Sequence, residues 1–237
     1  MNSIIKQLFL LVGLLPVTGF VTHAPHSLTI QFKHKMGSRE LQLFNESYVN
    51  PFGEPVIITR FKYYISHLII TGADQKETGL SDKTFLIDES EPDSKTLTFS
   101  TSITAPQSLS FVIGVDSILN VSGVQTGSLD PLNGMFWTWN SGYIFARLEG
   151  KSDSSHAPAH LVNWDVGGFK APFNTSRKIT LDLTNATGPV ITVEADLLKW
   201  FNASHAIYIA QAPLCHQPGR LAMQLADNYS RMFSIAL

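Results

Sequence analysis

Alternation with a period of two is the property of this chain that most narrows what it can fold into. In "SLTIQFKHK", Leu28, Ile30, Phe32 and His34 share one face, while Thr29, Gln31, Lys33 and Lys35 share the other. Successive side chains on a strand point to opposite faces, so such a segment reads as a half-buried strand. "TRFKYYISHLIIT" repeats the pattern, with Phe61, Tyr63, Ile65, His67 and Ile69 on one face. "SLSFVIGVD" does so through Leu109, Phe111, Ile113 and Val115. "RKITLDL" and "PVITVEADL" add Ile179, Leu181 and Leu183, then Ile191, Val193 and Ala195. The turn-forming clusters "NPFGEP", "TGADQKETG", "LDPLNG" and "TNATGP" lie between such segments,. Many short strands joined by polar turns predict an all-β fold, an antiparallel β-sandwich.

Two segments break the period. "QPGRLAMQLADNYSRMFSI" places Leu221, Leu225, Tyr229, Met232 and Phe233 at helical spacing, with Pro218 near the first turn,. It predicts a short C-terminal helix closing one end of the sandwich. "DLLKWFN" predicts a helical turn that carries Trp200 into the core.

At 237 residues, 44% of them hydrophobic, the chain can build one sizeable core. A formal charge of −2 gives no footprint for nucleic acid. The single cysteine, Cys215, rules out an internal disulfide framework. The first 24 residues read as a signal peptide, with Lys6 ahead of an apolar run from Leu8 to Leu15,. Cleavage is expected near "VTHA" or after Gly19, leaving 25–237 as a single exported domain. No later apolar run is long enough to span a bilayer. Six asparagines, Asn45, Asn120, Asn174, Asn185, Asn202 and Asn228, stand in N-x-S/T contexts.

Enzyme signatures are missing. The chain has no Gly-rich phosphate loop, no G-x-S-x-G and no H-E-x-x-H,, so no catalytic residues are expected. The histidines are the first place to look for other chemistry. His34 has the parity of the core, where a neutral imidazole needs partners on both ring nitrogens; it reads as a hydrogen-bonded core residue or as a metal ligand. His67 carries the same argument. His156 and His160 fall in a loop, and Cys215 and His216, adjacent on a strand, would point apart. The most unusual stretch is "GMFWTWNSGYIFARLEG", Gly134–Gly150. It sets Trp137 and Trp139 one residue apart among Phe136, Tyr143 and Phe145.

That stretch is the heart of a family resemblance. "GVDSILNVSGVQTGSLDPLNGMFWTWNSGYIFARLEG" resembles the central block of the MbnP-like family, the periplasmic copper-binding proteins named for methanobactin uptake systems. "IQFKH", "RFKYYISHL" after "NPFGEP", "VGGF" and the closing "LADNYSRMF" follow in the family's order. The resemblance implies a β-sandwich with a mononuclear copper site. In some relatives the ligands are two histidines and a kynurenine, made from tryptophan by a di-haem oxidase of the MauG type. Carried onto this chain, it names His34, Trp137 and Trp139. It also exposes a departure. Relatives commonly read F-H-I-G-G where this chain has W-D-V-G-G, so the expected histidine is Asp165. A carboxylate is a harder donor and favours Cu(II) over Cu(I). Otherwise His160 takes that place or the site is lost, and Asp116 in "GVDS" either orients an imidazole or caps the turn that follows. A metal-free binding or adaptor module, its aromatic cluster meeting a sugar, a peptide or a surface protein complex, is the competing expectation; a small metalloenzyme is the third.

Overall fold

The computed structural model describes residues 24–138 and 140–236. They form two packed sheets. The smaller contains β1 (His26–Met36), β2 (Arg39–Glu40), β7 (Thr96–Thr101), β13 (Val190–Asp196) and β15 (Phe233–Ile235). The larger contains β3 (Ser47–Val49), β4 (Pro55–Gly72), β5 (Glu77–Ser81), β6 (Phe85–Asp88), β8 (Pro106–Ile113), β9 (Phe136–Thr138), β10 (Gly142–Lys151), β11 (Leu161–Gly167), β12 (Arg177–Asp182) and β14 (Leu214–Cys215). Most pairings are antiparallel, but β1 with β13 and β11 with β14 run parallel. The fold is therefore the expected all-β sandwich, with α2 (Arg220–Tyr229) as its short C-terminal helix and α1 (Leu198–Phe201) as the turn that buries Trp200. No helix among the described residues is long and apolar enough to cross a membrane.

The main core lies between the sheets. Leu28, Ile30 and Phe32 of β1 meet Phe61, Tyr63, Phe111 and Leu148 of the larger sheet, all buried. Phe32 sits edge-on to both Tyr63 and Phe111, at 6.2 and 6.0 Å. Such contacts add to the burial that holds a sandwich together. At one end, Trp164 stacks on Trp200 and donates its indole N–H to the Ala212 carbonyl at 2.8 Å. Asn228, fully buried, donates to the carbonyls of Trp200 and His205 and so locks α2 over this end. Asn120 is buried too, so two of the six N-x-S/T asparagines serve the interior.

One parity expectation fails from a single bulge onward. β4 keeps Phe61, Tyr63 and Ile65 inward, but a bulge separates Ser66 from Ile69 in its pairing with β8. Beyond it the phase has shifted, and Leu68 and Ile70 are the buried residues. His67 occupies the bulge with φ of +51° and a half-exposed side chain. An extra residue in one strand reverses which face follows, and that overturns the inward placement of both His67 and Ile69,.

A second core covers the outer face of the larger sheet. The segment after β8 crosses back over the strands and buries Val115, Leu129 and Met135 against Tyr64, Tyr143, Ile144 and Phe145. Its ties are polar and internal. Tyr64 donates to the Ser128 carbonyl at 3.0 Å, Tyr143 to that of Leu129 at 2.7 Å. The Asn120 amide donates to the Val115 and Asp116 carbonyls and its oxygen accepts from the Tyr143 N–H. Gly142 must be glycine there: φ is +75°, and a Cβ would stand 2.3 Å from the Asn120 oxygen,.

Candidate metal centre

The sheet register sorts the expected ligands onto two faces. Ile87, Tyr63, Ala146 and Val166 form one row across β6, β4, β10 and β11, and they point into the main core. The next row is Asp88, Lys62, Arg147 and Asp165, which points outward. His34 belongs to the inner side. Its Nδ1 is 2.6 Å from a Glu89 carboxylate oxygen and its Nε2 is 3.0 Å from the Tyr63 hydroxyl. Lys95 donates to the same Glu89 oxygen at 2.9 Å. Burial, against the pull of Glu89, lowers the His34 pKa. The neutral ring then carries its proton on Nδ1, donates it to the acceptor-only carboxylate, and accepts the Tyr63 proton at Nε2. Both ring nitrogens are occupied. His34 reaches from the smaller sheet to the inner face of the larger one, whereas Asp165 points from that sheet's outer face, so the two are not brought together.

Asp165 is held by Arg147. The guanidinium Nε donates to one carboxylate oxygen at 2.5 Å and Nη2 to the other at 3.0 Å, a bidentate, charge-assisted pair,. Arg147 also donates through Nη1 to the Gly134 carbonyl at 2.7 Å, and its Nε lies 3.4 Å from Glu149. Glu149 in turn accepts from Arg60 at 3.0 Å. One further group approaches Asp165. The His216 Nδ1 stands 3.6 Å from its second oxygen, too far for a hydrogen bond, with the imidazole half exposed,. The parallel pairing of β14 with β11 puts it there: Trp164 is opposite Cys215, so Cys215 turns in and His216 turns out. Burial pushes the Cys215 thiol up to about 11, so it stays protonated and offers no ready thiolate,.

Trp137 completes this patch. It is half buried at the edge of the second core. Its six-membered ring lies over Gly167, where an added Cβ would be 2.9 Å from Cζ3 and 3.1 Å from Cη2. Gly167 is two residues beyond Asp165 on β11. Trp137, Asp165 and His216 thus share the outer face. Trp139 lies outside the described residues. Asp116 does orient an imidazole, but that of His67, whose Nε2 is 2.6 Å away. His160 is exposed, and its Nδ1 bonds the Ser155 carbonyl at 3.2 Å. It precedes β11 and lies five residues from Asp165, about 16 Å along an extended strand. Among the described residues no three His, Cys, Asp or Glu side chains gather closely enough to hold a metal by themselves.

What emerges is a β-sandwich whose outer face carries an aromatic second core beside an arginine–aspartate pair and an exposed imidazole. A family model described as MbnP matches residues 25–217, and the chain belongs to the MbnP family. Among solved structures it is similar to MbnP from Methylosinus trichosporium, with a TM-score of 0.60 and 16% identity over 78% of this chain and 80% of that one. At that identity the likeness is one of fold. No curated protein matches the chain.

Proposed function

We propose that this chain is an exported, periplasmic copper-binding protein rather than an enzyme, and that its metal position is the outer-face patch of His216, Asp165 and Trp137. The observation that carries the reading is the convergence of an exposed imidazole and a carboxylate beside a tryptophan, in a member of the MbnP family. The donor set fits copper in part. One imidazole and one carboxylate suit Cu(II) better than Cu(I), and the remaining positions fall to solvent or to the tryptophan rim. A kynurenine made from Trp137 or Trp139 by a di-haem oxidase of the MauG type would add a nitrogen and a ketone oxygen there. His34 has no part in the site.

Cu(II) titration of the mature protein, followed by electron paramagnetic resonance, tests this. Wild type should bind one equivalent with a nitrogen and oxygen donor signature. The double variant His216→Ala, Asp165→Asn should lose it, and His34→Gln should keep it. Full copper occupancy in the double variant would overturn the assignment. Asp165→His restores a second imidazole and should tighten Cu(I) binding. In protein from its native periplasm, the peptide covering residues 134–147 should carry the mass of a tryptophan-to-kynurenine conversion.

A metal-free binding or adaptor module is the second reading. It is favoured by the apolar surface on the segment over the second core, where Ile118, Val124 and Leu132 are 72, 70 and 93% exposed,. Native protein free of copper, with an unmodified 134–147 peptide, would decide for it.

A further inference from the structure

We propose that Tyr63 is a redox-active tyrosine: it gives its electron to a strong one-electron oxidant and its proton to His34, and so refills holes formed in the Trp164–Trp200 pair. The inference does not depend on the copper reading of the outer face. Its first ground is a contrast among the six tyrosines. Tyr48, Tyr64, Tyr143 and Tyr229 each donate the phenol proton to a backbone carbonyl, which cannot keep it. Tyr208 is exposed and stacks on Phe52. Tyr63 alone among them turns its hydroxyl to a base, His34 Nε2 at 3.0 Å. Burial keeps that imidazole neutral, with its lone pair on Nε2,. Behind it the Glu89 carboxylate, 2.6 Å from Nδ1, favours the imidazolium once it forms,.

The step balances within these groups and the oxidant. A phenol that loses an electron becomes a very strong acid, so it is readily oxidised only where its proton has a place to go. Here the electron leaves for the oxidant, the Tyr63 O–H bond breaks and an Nε2–H bond forms. The products are a neutral phenoxyl radical, an imidazolium paired with Glu89, and the oxidant reduced by one electron. Lys95 shares the Glu89 oxygen and tempers that support. Return of one electron sends the proton back to Tyr63.

The second ground is position. Phe61 lies between Tyr63 and Trp200, its ring centroid 5.4 Å from the first and 6.0 Å from the second. Trp200 stacks on Trp164 at 6.3 Å. The two indole N–H groups face the Ala212 carbonyl and the Met232 thioether, and neither is a base. An oxidised indole there keeps its proton and remains a strong oxidant. Tyr229 is in contact with Trp200 at 5.4 Å, but its hydroxyl faces a carbonyl. The hole therefore passes to Tyr63, and the core indoles are spared lasting oxidation.

Flash oxidation with a photogenerated Ru(III) polypyridyl complex, followed by electron paramagnetic resonance, tests this. Tyr208→Phe is the starting protein, because the exposed phenol reacts directly with the complex. It should give a neutral tyrosyl radical with a hydrogen-bond coupling that exchange into D2O removes. Adding Tyr63→Phe should abolish that signal. Under continuous illumination the same variant should accumulate oxidised Trp164 and Trp200 in peptide maps. His34→Gln keeps an acceptor but removes the base, and it should lose the signal; Glu89→Gln should weaken it. The D2O-sensitive coupling is read with His34 in place, so the test does not hang on the stability of His34→Gln. A tyrosyl signal undiminished by Tyr63→Phe or by His34→Gln would overturn the assignment, as would tryptophan radicals with no tyrosyl signal. Equal tryptophan oxidation with and without Tyr63 would refute the refilling of the pair. Neither readout involves copper, so both are separate from the outcome of the Cu(II) titration.

Discussion

His34→Ala should lower the free energy of unfolding by about 3 kcal/mol and leave copper stoichiometry unchanged. The imidazole bridges the two sheets. It sits edge-on to Phe61 at 4.9 Å, donates to Glu89 on the larger sheet's side and accepts from Tyr63. Removing it leaves the Tyr63 hydroxyl without its acceptor in a fully buried position, and opens a gap between two rings. An unpaired buried hydroxyl costs about 1–3 kcal/mol and the gap adds to it. His34→Gln, which returns one donor and one acceptor, should recover part of the loss. Urea unfolding of the three proteins measures both effects.

The same residue sets a pH dependence whose sign follows from its burial. The folded His34 pKa lies below its ordinary value, so the unfolded chain takes a proton first as pH falls. Stability from this group is intact above about pH 6.5 and declines below it, until the folded pKa is reached. Glu89 acts later. Burial raises its pKa, but the bonds from His34 and Lys95 outweigh this and hold it below its usual range. Its contribution is present above the ordinary glutamate value and is lost as pH falls through the lowered one. Wild type should therefore lose stability between pH 7 and 5, and His34→Gln should lose little in that window. A variant with the wild-type slope would show that another group titrates. Lost copper at unchanged stability would return His34 to the metal site.

The straight strands were legible because parity survives wherever no residue is inserted. β1, β12 and β13 bury the residues their alternation names: Leu28 to His34, Ile179 to Leu183, and Ile191 to Ala195. The bulge at His67 was not legible. "YYISHLII" alternates as well with an inserted residue as without one, and a histidine at φ +51° bears no local mark. The helix α2 was readable from its proline and from the stripe Leu221, Leu225 and Tyr229, since both signals are local, but the stripe's end was not: the helix stops at Tyr229, and Phe233, in β15, pairs with Ala195.

The candidate site was only half legible, for a different reason. Asp165 and Trp137 stand in motifs, and the structure places both on the outer face. Arg147 needed only the parity of β10: Ala146 and Leu148 face the core, so Arg147 faces out, opposite Asp165 once the register is known. His216 could not be placed from sequence, because a two-residue strand in parallel pairing is a tertiary event. The aromatic stretch had an answer that parity alone does not reach. Tyr143, Ile144 and Phe145 are all buried, since the bulge between Ile144 and Ala146 and the crossing segment together cover both sides of β10.

Gly167→Ala should test this arrangement most sharply, with about 2–3 kcal/mol of lost stability and displacement of Trp137. The glycine is required by space. An added Cβ would lie 2.5 Å from the Tyr143 carbonyl oxygen, and 2.9 and 3.1 Å from the Trp137 ring. The carbonyl belongs to the neighbouring strand at its bulge, so it cannot recede without breaking the β10–β11 pairing. The indole sits at the rim and can swing outward. The carbonyl contact therefore strains the pairing and accounts for the lost stability, while the ring contacts are relieved by Trp137, which leaves the strand face next to Asp165. Trp164 and Trp200, fully buried in the main core, provide an internal reference that does not move. Acrylamide quenching should rise for one exposed fluorophore while the protected fraction stays constant, and Trp137→Phe should remove the added component. If the copper reading holds, Cu(II) affinity falls in step with that displacement, whereas Gly150→Ala, whose Cβ would meet the Ile57 carbonyl at 2.4 Å on the other side of β10, should destabilise the sheet without changing Trp137 quenching. Equal quenching in Gly167→Ala and wild type, with unaltered stability, would mean that Trp137 does not rest on this strand, and the outer-face patch would lose its third side.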